Sequence, residues 1–296
     1  MPIVLLPASE TGEYFTWVDP AGGSHVLTLE AGYGVLADIR ARWQAALSHA
    51  EHNVPGQAGA RVTQTRRQPV TMDLPIEVSG ESYGEVRGKI RNLASWLHTI
   101  DGPGVFRVTA PDESIREIEA YASYEVDENL GMGGDKDQDV LVSLYCPGAY
   151  WRDAVPTEAT YTTGGGGAFL PASFPILLAS TVVLASPTVT NGGDDEAWPV
   201  WTITGPGVNP VLRNLTTGKA TEFSLTLGAG EQAIVDTRPG YKSVTDGQGD
   251  NLYQSLSRTA NLWPLARGTN QLQIEMTDAT AESSVLLSYT RVWLGP

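Results

Sequence analysis

Ala197-Trp198-Pro199-Val200-Trp201-Thr202-Ile203-Thr204-Gly205-Pro206-Gly207 reads as a single core strand held between two stops. Val200 to Ile203 is β-branched or aromatic at every position, which suits a pleated, half-buried surface. Gly205-Pro206-Gly207 is a tight turn that cannot continue it. Similar short runs lie on both sides: Thr181 to Leu184, Glu222 to Leu227, Gln232 to Asp236, Asn270 to Glu275 and Ser284 to Val292. Apolar residues alternate at Phe223, Leu225 and Leu227, and again at Val285, Leu287 and Tyr289. Turn signals separate the runs: Asn191-Gly192, Gly228-Ala229-Gly230, and Pro264 with a Gly268-Thr269-Asn270 turn leading into the strand from Gln271. Many short, turn-punctuated strands of this kind predict a β-sandwich over residues 154–296.

Residues 1–153 read differently. Ile3 to Leu6, Tyr14 to Val18 and His25 to Leu29 are short apolar pieces parted by Asp19, Pro20, Gly22 and Gly23. Arg61 to Arg67 and Pro69 to Val78 read as strands, the second alternating through Val70, Met72, Leu74 and Ile76. Val86, Ile90, Leu93 and Leu97 then fall on one face of a helix, with Ser82 at its N-cap and Glu85 three residues on. Gly102-Pro103-Gly104 stops it, and Val105 to Thr109, Glu117 to Val126 and Val140 to Tyr145 return to strand. Leu36, Ile39, Trp43 and Leu47 recur at helical spacing, so Val35 to His49 is either a second helix or a strand plus an insertion. Strands with one packed helix make this half an α+β domain, so the chain as a whole is mainly β with some α.

Length and charge bound the function. At 296 residues the chain fits two domains. Its net charge is −15, with 12 basic and 22 acidic residues up to Asp153 (−10) and 7 and 12 after it (−5). An acidic surface on both halves repels phosphates, so tight binding of DNA or RNA is not expected, although DNA can still pass by without sticking. Cys146 is the only cysteine, which excludes an intrachain disulfide and a cysteine-based zinc site. Met1 to Leu6, followed by Pro7, lacks the layout of a signal peptide. The charge-free stretch from Ala159 to Gly193 is broken by Gly164 to Gly167 and by Pro171, Pro175 and Pro187. Its longest apolar run, Ile176 to Ala185, is too short to span a bilayer. It reads as a linker followed by buried or interface strands, in a soluble protein made in a reducing cytosol without membrane insertion.

Sites of chemistry are hard to find in this sequence. Asp135, Asp137 and Asp139 open like an EF-hand loop, but Val140 stands where its glycine belongs and Cys146 where its glutamate belongs, so a solvated hairpin tip explains them better. His49 and His52 flank Glu51 on the possible helix without a further ligand, which reads as an exposed polar face. Gly164 to Gly167 has no Lys-Ser/Thr after it and is not a phosphate loop. No nucleophile elbow, zinc-protease helix or triad signature appears. No catalytic, cofactor-binding or metal-binding residue is therefore assigned, and the chain reads as a non-enzyme. Trp198, Trp201, Trp263, Tyr289 and Trp293 fall in the predicted sandwich, where they either fill the core and interfaces or stack on sugars.

The order of short motifs is more telling than any one of them. Asn191-Gly192-Gly193-Asp194, the Ala197 to Gly207 stretch, Asn209-Pro210, Asn214-Leu215-Thr216-Thr217-Gly218-Lys219, Gly230-Glu231, Ile234-Val235-Asp236-Thr237, Trp263-Pro264-Leu265, Gly268-Thr269-Asn270 and Tyr289 follow one another over about 100 residues. In this order they resemble the C-terminal domain of the siphophage distal tail, or tail-component, family. The first half is similar to that family's N-terminal belt domain from about Arg61 onward, and least so over the first 60 residues.

The resemblance implies a structural virion protein at the distal end of a phage tail. Its N-terminal belt would build a ring, hexameric in the family, around a DNA-wide channel. A galectin-like β-sandwich would follow. Such a ring joins the tail tube to the tip or baseplate, so the implied partners are further copies of the chain, the tail tube protein, the tape measure protein, and tail-associated and receptor-binding proteins. A carbohydrate-binding adhesion module acting through the second domain is the rival reading. Two or more of the tryptophans exposed on one concave sandwich face would favour it.

Overall fold

The alternation that marks Val70 to Ile76 becomes the central strand of the first of two units. The computed structural model describes residues 12–36, 39–43, 46–53, 55–56, 58–126, 136–162 and 181–296. The first unit runs to Ala154 and takes in Trp293–Pro296, and the second is Val155–Val292. Gly164 to Gly167 and Asp135 lie outside the described residues, as do Pro171, Pro175 and the Ile3 to Leu6 piece.

The strands of the first unit are β1 (Tyr14–Val18), β2 (Ser24–Leu27), β3 (Tyr33–Val35), β4 (Leu47–His52), β5 (Arg61–Arg67), β6 (Val70–Ser79), β7 (Gly104–Thr109), β8 (Ile115–Val126), β9 (Asp137–Cys146) and β10 (Trp151–Asp153). Helix α1 (Tyr83–Trp96) joins β6 to β7. The main sheet has the order β2-β1-β7-β8-β9-β6-β3, and β10 adds to β8. The chain's last strand, Val292–Trp293, pairs with β10.

Inward positions Met72, Leu74, Ile76 and Val78 of β6 and Val140, Val142 and Leu144 of β9 share a core with Val86 and Leu93 of α1. Ser82 caps the helix by accepting from the Glu85 amide, while the Glu85 carboxylate accepts from the Glu81 amide, a near relative of the capping box. Asp19 closes the β1–β2 turn. Its Oδ1 accepts from the amides of Ala21 and Gly23, and its Oδ2 meets His25 Nε2 at 2.9 Å.

Of the two readings of Val35 to His49, the described residues show no helix and begin and end in strand. β3 ends at Val35, the Leu36 amide donates to Pro75 O and the Arg40 amide to Asp73 O, so this segment follows the edge of β6. Ala41 then takes φ 58° and the chain enters β4. The apolar spacing was misleading because Trp43 and Leu47 are more than half exposed and form no buried stripe. His49 and His52 consequently sit on β4, in a two-stranded hairpin with β5 that is exposed almost throughout.

In the second unit the strands are β11 (Thr157–Thr162), β12 (Thr181–Ala185), β13 (Thr188–Asn191), β14 (Val200–Thr204), β15 (Gly207–Asn214), β16 (Lys219–Glu222), β17 (Thr226–Leu227), β18 (Gln232–Asp236), β19 (Ser243–Asp246), β20 (Gly268–Thr277) and β21 (Ser284–Tyr289). They form one sheet in the order β11-β21-β14-β18-β19 and another in the order β12-β20-β15-β16, with β13 on β20 and β17 on β15. Trp201, Ile203, Val235, Val285 and Leu287 from the first of these sheets meet Leu212, Leu272, Ile274 and Met276 from the second in one core. This is the expected sandwich.

Several strand boundaries differ from the sequence reading, and Ser284 to Val292 ends as β21 at Tyr289. Glu222 to Leu227 is not one strand but the end of β16 and the two residues of β17. Gly268-Thr269-Asn270 is not a turn, because β20 already pairs with β13 there.

Candidate functional surfaces

The motif residues of the second unit turn out to be internal pins. Asn214 Nδ2 donates to Asn270 Oδ1 at 3.0 Å, and both side chains are fully buried. Asn214 Oδ1 also accepts from the amides of Thr216 and Thr217, closing the turn after β15. Asn270 Oδ1 accepts from the Ala266 amide, and its Nδ2 donates to the carbonyls of Ala266 and Gly268. Asn191 works the same way, accepting from the Gly193 amide and donating to the carbonyls of Asp195 and Leu265. Thr237 Oγ1 donates to Pro199 O and Tyr289 Oη to Thr190 O. Each amide satisfies irregular backbone that would otherwise be buried without partners.

The glycines of Gly205-Pro206-Gly207 answer to close packing. A Cβ at Gly207 would lie 2.5 Å from the Met276 side chain, and one at Gly205 would lie 2.4 Å from Gly228 O.

The aromatic residues divide. Trp201 and Trp263 are 1% exposed and meet edge to face with ring centres 5.5 Å apart, so they belong to the core. Tyr289 is buried too. Trp293 lies with the first unit, where its Nε1 donates to Asp153 Oδ1 at 2.7 Å and the Arg116 guanidinium lies 4.0 Å from its ring centre. Only Trp198 remains as a partly exposed tryptophan of the sandwich, with the Lys242 ammonium 5.2 Å from its ring centre.

The first unit carries an acidic sheet face. The outward positions of β6, β8 and β9 are opposite to those that pack with α1. Register places Glu77 beside Asp139, Ser79 beside Asp137, Asp73 beside Ser143, and Glu125 beside Leu141. No lysine or arginine occupies an outward position of β6 or β9, nor of β8 beyond Glu119, and the Arg40 backbone bridges to Asp73 at the edge of this face. Burial, then the neighbouring Asp139 and Asp137 charges, raise the Glu77 carboxyl above its ordinary value. Tyr121, Leu141 and Tyr145 stand exposed on the same face. Further along β8 the charges are neutralised, Glu117 by Arg107 at 2.9 Å and Glu119 by Arg152 at 2.7 Å.

The residues weighed for chemistry are scattered. Asp137 and Asp139 are outward positions of β9 rather than a loop tip, and Cys146, the residue at the glutamate place of an EF-hand, is buried at the strand's end. Burial alone pushes its thiol up to about 12, so it is no nucleophile at neutral pH. His49 Nδ1 lies 2.9 Å from Thr65 Oγ1 across the hairpin. Among the described residues no group of three or more His, Cys, Asp or Glu side chains is placed to hold a metal ion, and no helix is long and apolar enough to cross a membrane.

Residues 192–293 match the family described as siphovirus-type tail component, C-terminal domain. This segment belongs to that family. The whole chain shares the fold of the phage SPP1 Dit protein, described as a paradigm of hub adsorption apparatus in phages infecting Gram-positive bacteria. That similarity has a TM-score of 0.67 at 14% identity and covers 95% of this chain and 98% of that one. It is also similar to a chain of the phage P2 baseplate in its activated conformation with Ca, with a TM-score of 0.50 at 10% identity over 94% of this chain and 98% of that one. The same baseplate with Sr gives a TM-score of 0.50 at 9% identity. No curated protein sequence matches the chain.

The distal-tail resemblance read from the sequence is thereby met, by family over residues 192–293 and by fold over nearly the whole chain. It rests on residues such as Asn191, Asn214 and Asn270, whose work is structural.

Proposed function

We propose that the chain is a non-enzymatic structural hub at the distal end of a siphophage tail, working as a ring of identical copies. The observation that carries this is fold agreement with SPP1 Dit across both units, alongside the tail-component family membership of residues 192–293. In this reading the first unit forms the ring wall, hexameric as the resemblance implies, and joins the tail tube to the tip. Tape measure, tail-associated and receptor-binding proteins would be its neighbours. The acidic face of β6, β8 and β9 suits a channel lining, since a concentration of carboxylates repels a passing phosphate backbone. The exposed β4–β5 hairpin suits contact between copies, because a two-stranded ribbon gains stability from a surface to lie on.

Electron microscopy of the purified protein, with mass measurement in solution and antibody labelling of intact tails, tests the proposal. Closed rings and label at the distal end of the tail are expected. A monomer at all concentrations together with label elsewhere would overturn it. The adhesion reading in its tryptophan form loses ground, because Trp201 and Trp263 are core residues.

A further inference from the structure

The second unit holds two open grooves of opposite character on either side of the segment Leu252–Leu256. In one, of about 450 Å³, Glu231 and Asp246 face the opening, but their carboxylates already serve local turns. Glu231 accepts from the Gly228 amide, and Asp246 accepts from the amides of Gln248 and Asp250. The other groove, of about 390 Å³, is lined by Lys242, Tyr253, Ser257, Arg258 and Asn261 among others, and by no carboxylate. In this unit Arg213 is paired with Glu222 and Arg238 with Asp236. Among the described residues neither Lys242 nor Arg258 makes an ion pair, so two uncompensated cations converge on one groove of a protein with net charge −15.

Aromatic surface adjoins those cations. The Tyr253 ring is 48% exposed at the groove, and the partly exposed Trp198 ring centre lies 5.2 Å from the Lys242 ammonium. A half-exposed aromatic ring offers an apolar face for the C–H face of a pyranose, with a polar edge that remains wet. The Asn261 amide and the Ser257 hydroxyl add groups that pair with sugar hydroxyls. A nucleic-acid strand would also stack on such rings, but its affinity comes from many neutralised phosphates, and the groove supplies two cations on an acidic body. An acidic peptide would satisfy the cations and leave the aromatic rings unused.

We propose that the Lys242–Tyr253–Arg258 groove binds an anionic saccharide, a glycan bearing phosphate or carboxylate groups. The rings would stack on sugar faces, and the two cations would meet the acidic substituent. This site differs from the core-tryptophan form of the adhesion reading, and it stands whether or not copies of the chain form a ring.

The test is calorimetric titration of the full-length protein with three oligosaccharides and one peptide. Pentamannose phosphate carries the phosphate, oligogalacturonate carries carboxylates, mannopentaose is the neutral control, and polyglutamate supplies charge alone. Saturable binding to at least one acidic saccharide is expected, ~10-fold or more tighter than to mannopentaose or polyglutamate. Which of the two binds identifies the acidic group. K242A/R258A and Y253A should each weaken it by ~10-fold or more, with Y253F close to wild type. All three residues are surface groups, and circular dichroism checks that the variants are folded. The proposal is overturned by no saturation with either acidic saccharide at millimolar concentration, by equal binding of polyglutamate or mannopentaose, or by undiminished binding in Y253A.

Discussion

Asn214 Nδ2 donates to Asn270 Oδ1 across 3.0 Å, and neither side chain reaches solvent. The pair ties the turn after β15 to the entry of β20, two places where the family likeness is concentrated. Asn270→Ala removes an acceptor for the Asn214 amide and the Ala266 N–H, and a donor to two carbonyls, leaving several buried groups without partners. We expect it to destabilise the second unit by about 2–4 kcal/mol, since each orphaned group costs about 1–3 kcal/mol and relaxation recovers part. Urea unfolding measures this, and a loss under about 0.5 kcal/mol, typical of an ordinary surface change, would contradict the pinning role.

Trp293 should matter to the first unit and not to the sandwich. Arg116 lies over its ring and also donates to Gly295 O at 3.1 Å, while Asp153 accepts from the indole. Deleting Trp293–Pro296 is expected to cost the first unit about 2–4 kcal/mol from the lost aromatic packing and hydrogen bonds. Hydrogen exchange should quicken in β8 and β10 and stay unchanged in β14 and β18. Unchanged protection in β8 and β10 would show that the tail contributes nothing there.

Glu77 gives a pH signature. Burial and the flanking aspartates raise its folded-state value above that of the unfolded chain, so the native state holds the proton more tightly. Its contribution to stability is therefore fully present below the unfolded value and is lost as pH rises through the folded one. Glu77→Gln should raise the melting temperature at pH 7, and the gain should shrink as pH falls to about 3, where the wild-type carboxyl is protonated in both states. A gain that is constant across this range would rule out the electrostatic cause.

If rings form, their channel should not hold DNA. The carboxylates of Glu77, Glu125, Asp137 and Asp139 act over a Debye length of about 8 Å at physiological salt. Assembled wild-type protein is expected to show no binding to double-stranded DNA at low micromolar concentration. A ring of E77K/E125K/D139K should bind it in a salt-sensitive way. DNA binding by the wild type, or a charge-reversed ring indifferent to DNA, would place this face elsewhere.

The second unit should fold when cut at Val155 and Val292, because among the described residues its core cluster draws only on positions between these points. We expect strand-dominated circular dichroism and one cooperative unfolding transition from that fragment. Aggregation of several such fragments would mean that its core needs the rest of the chain.

Elements with a strong local signal were legible. Ser82 and Glu85 announced α1, and the alternation of Met72, Leu74 and Ile76 announced β6. β15 was not, because Pro210 interrupts the strand pattern after the Gly205-Pro206-Gly207 turn. Asn209 takes φ 49° and the register with β20 shifts between Val208 and Val211, so the strand survives as a bulged one. Gly268-Thr269-Asn270 misled for a related reason. The Asn270 side chain does close a turn, the one at Ala266 to Gly268, while its own backbone is already paired with β13. The acidic face depends on Glu77 meeting Asp139 across strands more than 60 residues apart in the chain, a long-range register that no local pattern encodes. The Lys242–Tyr253–Arg258 groove is likewise assembled from separate turns, and nothing in their spacing announces it.

The second unit is spliced into the first, leaving it after Ala154 and rejoining it at Trp293. Two covalent crossings therefore hold it instead of one. A protease that nicks either crossing leaves both pieces on the same particle, and full release takes two cuts. A mechanical load applied to the second unit would divide between two backbone strands, halving the tension on each when they are equally taut. For a part proposed to carry adsorption proteins on a moving tail, such doubled anchorage guards against loss of the whole assembly through failure at a single linker.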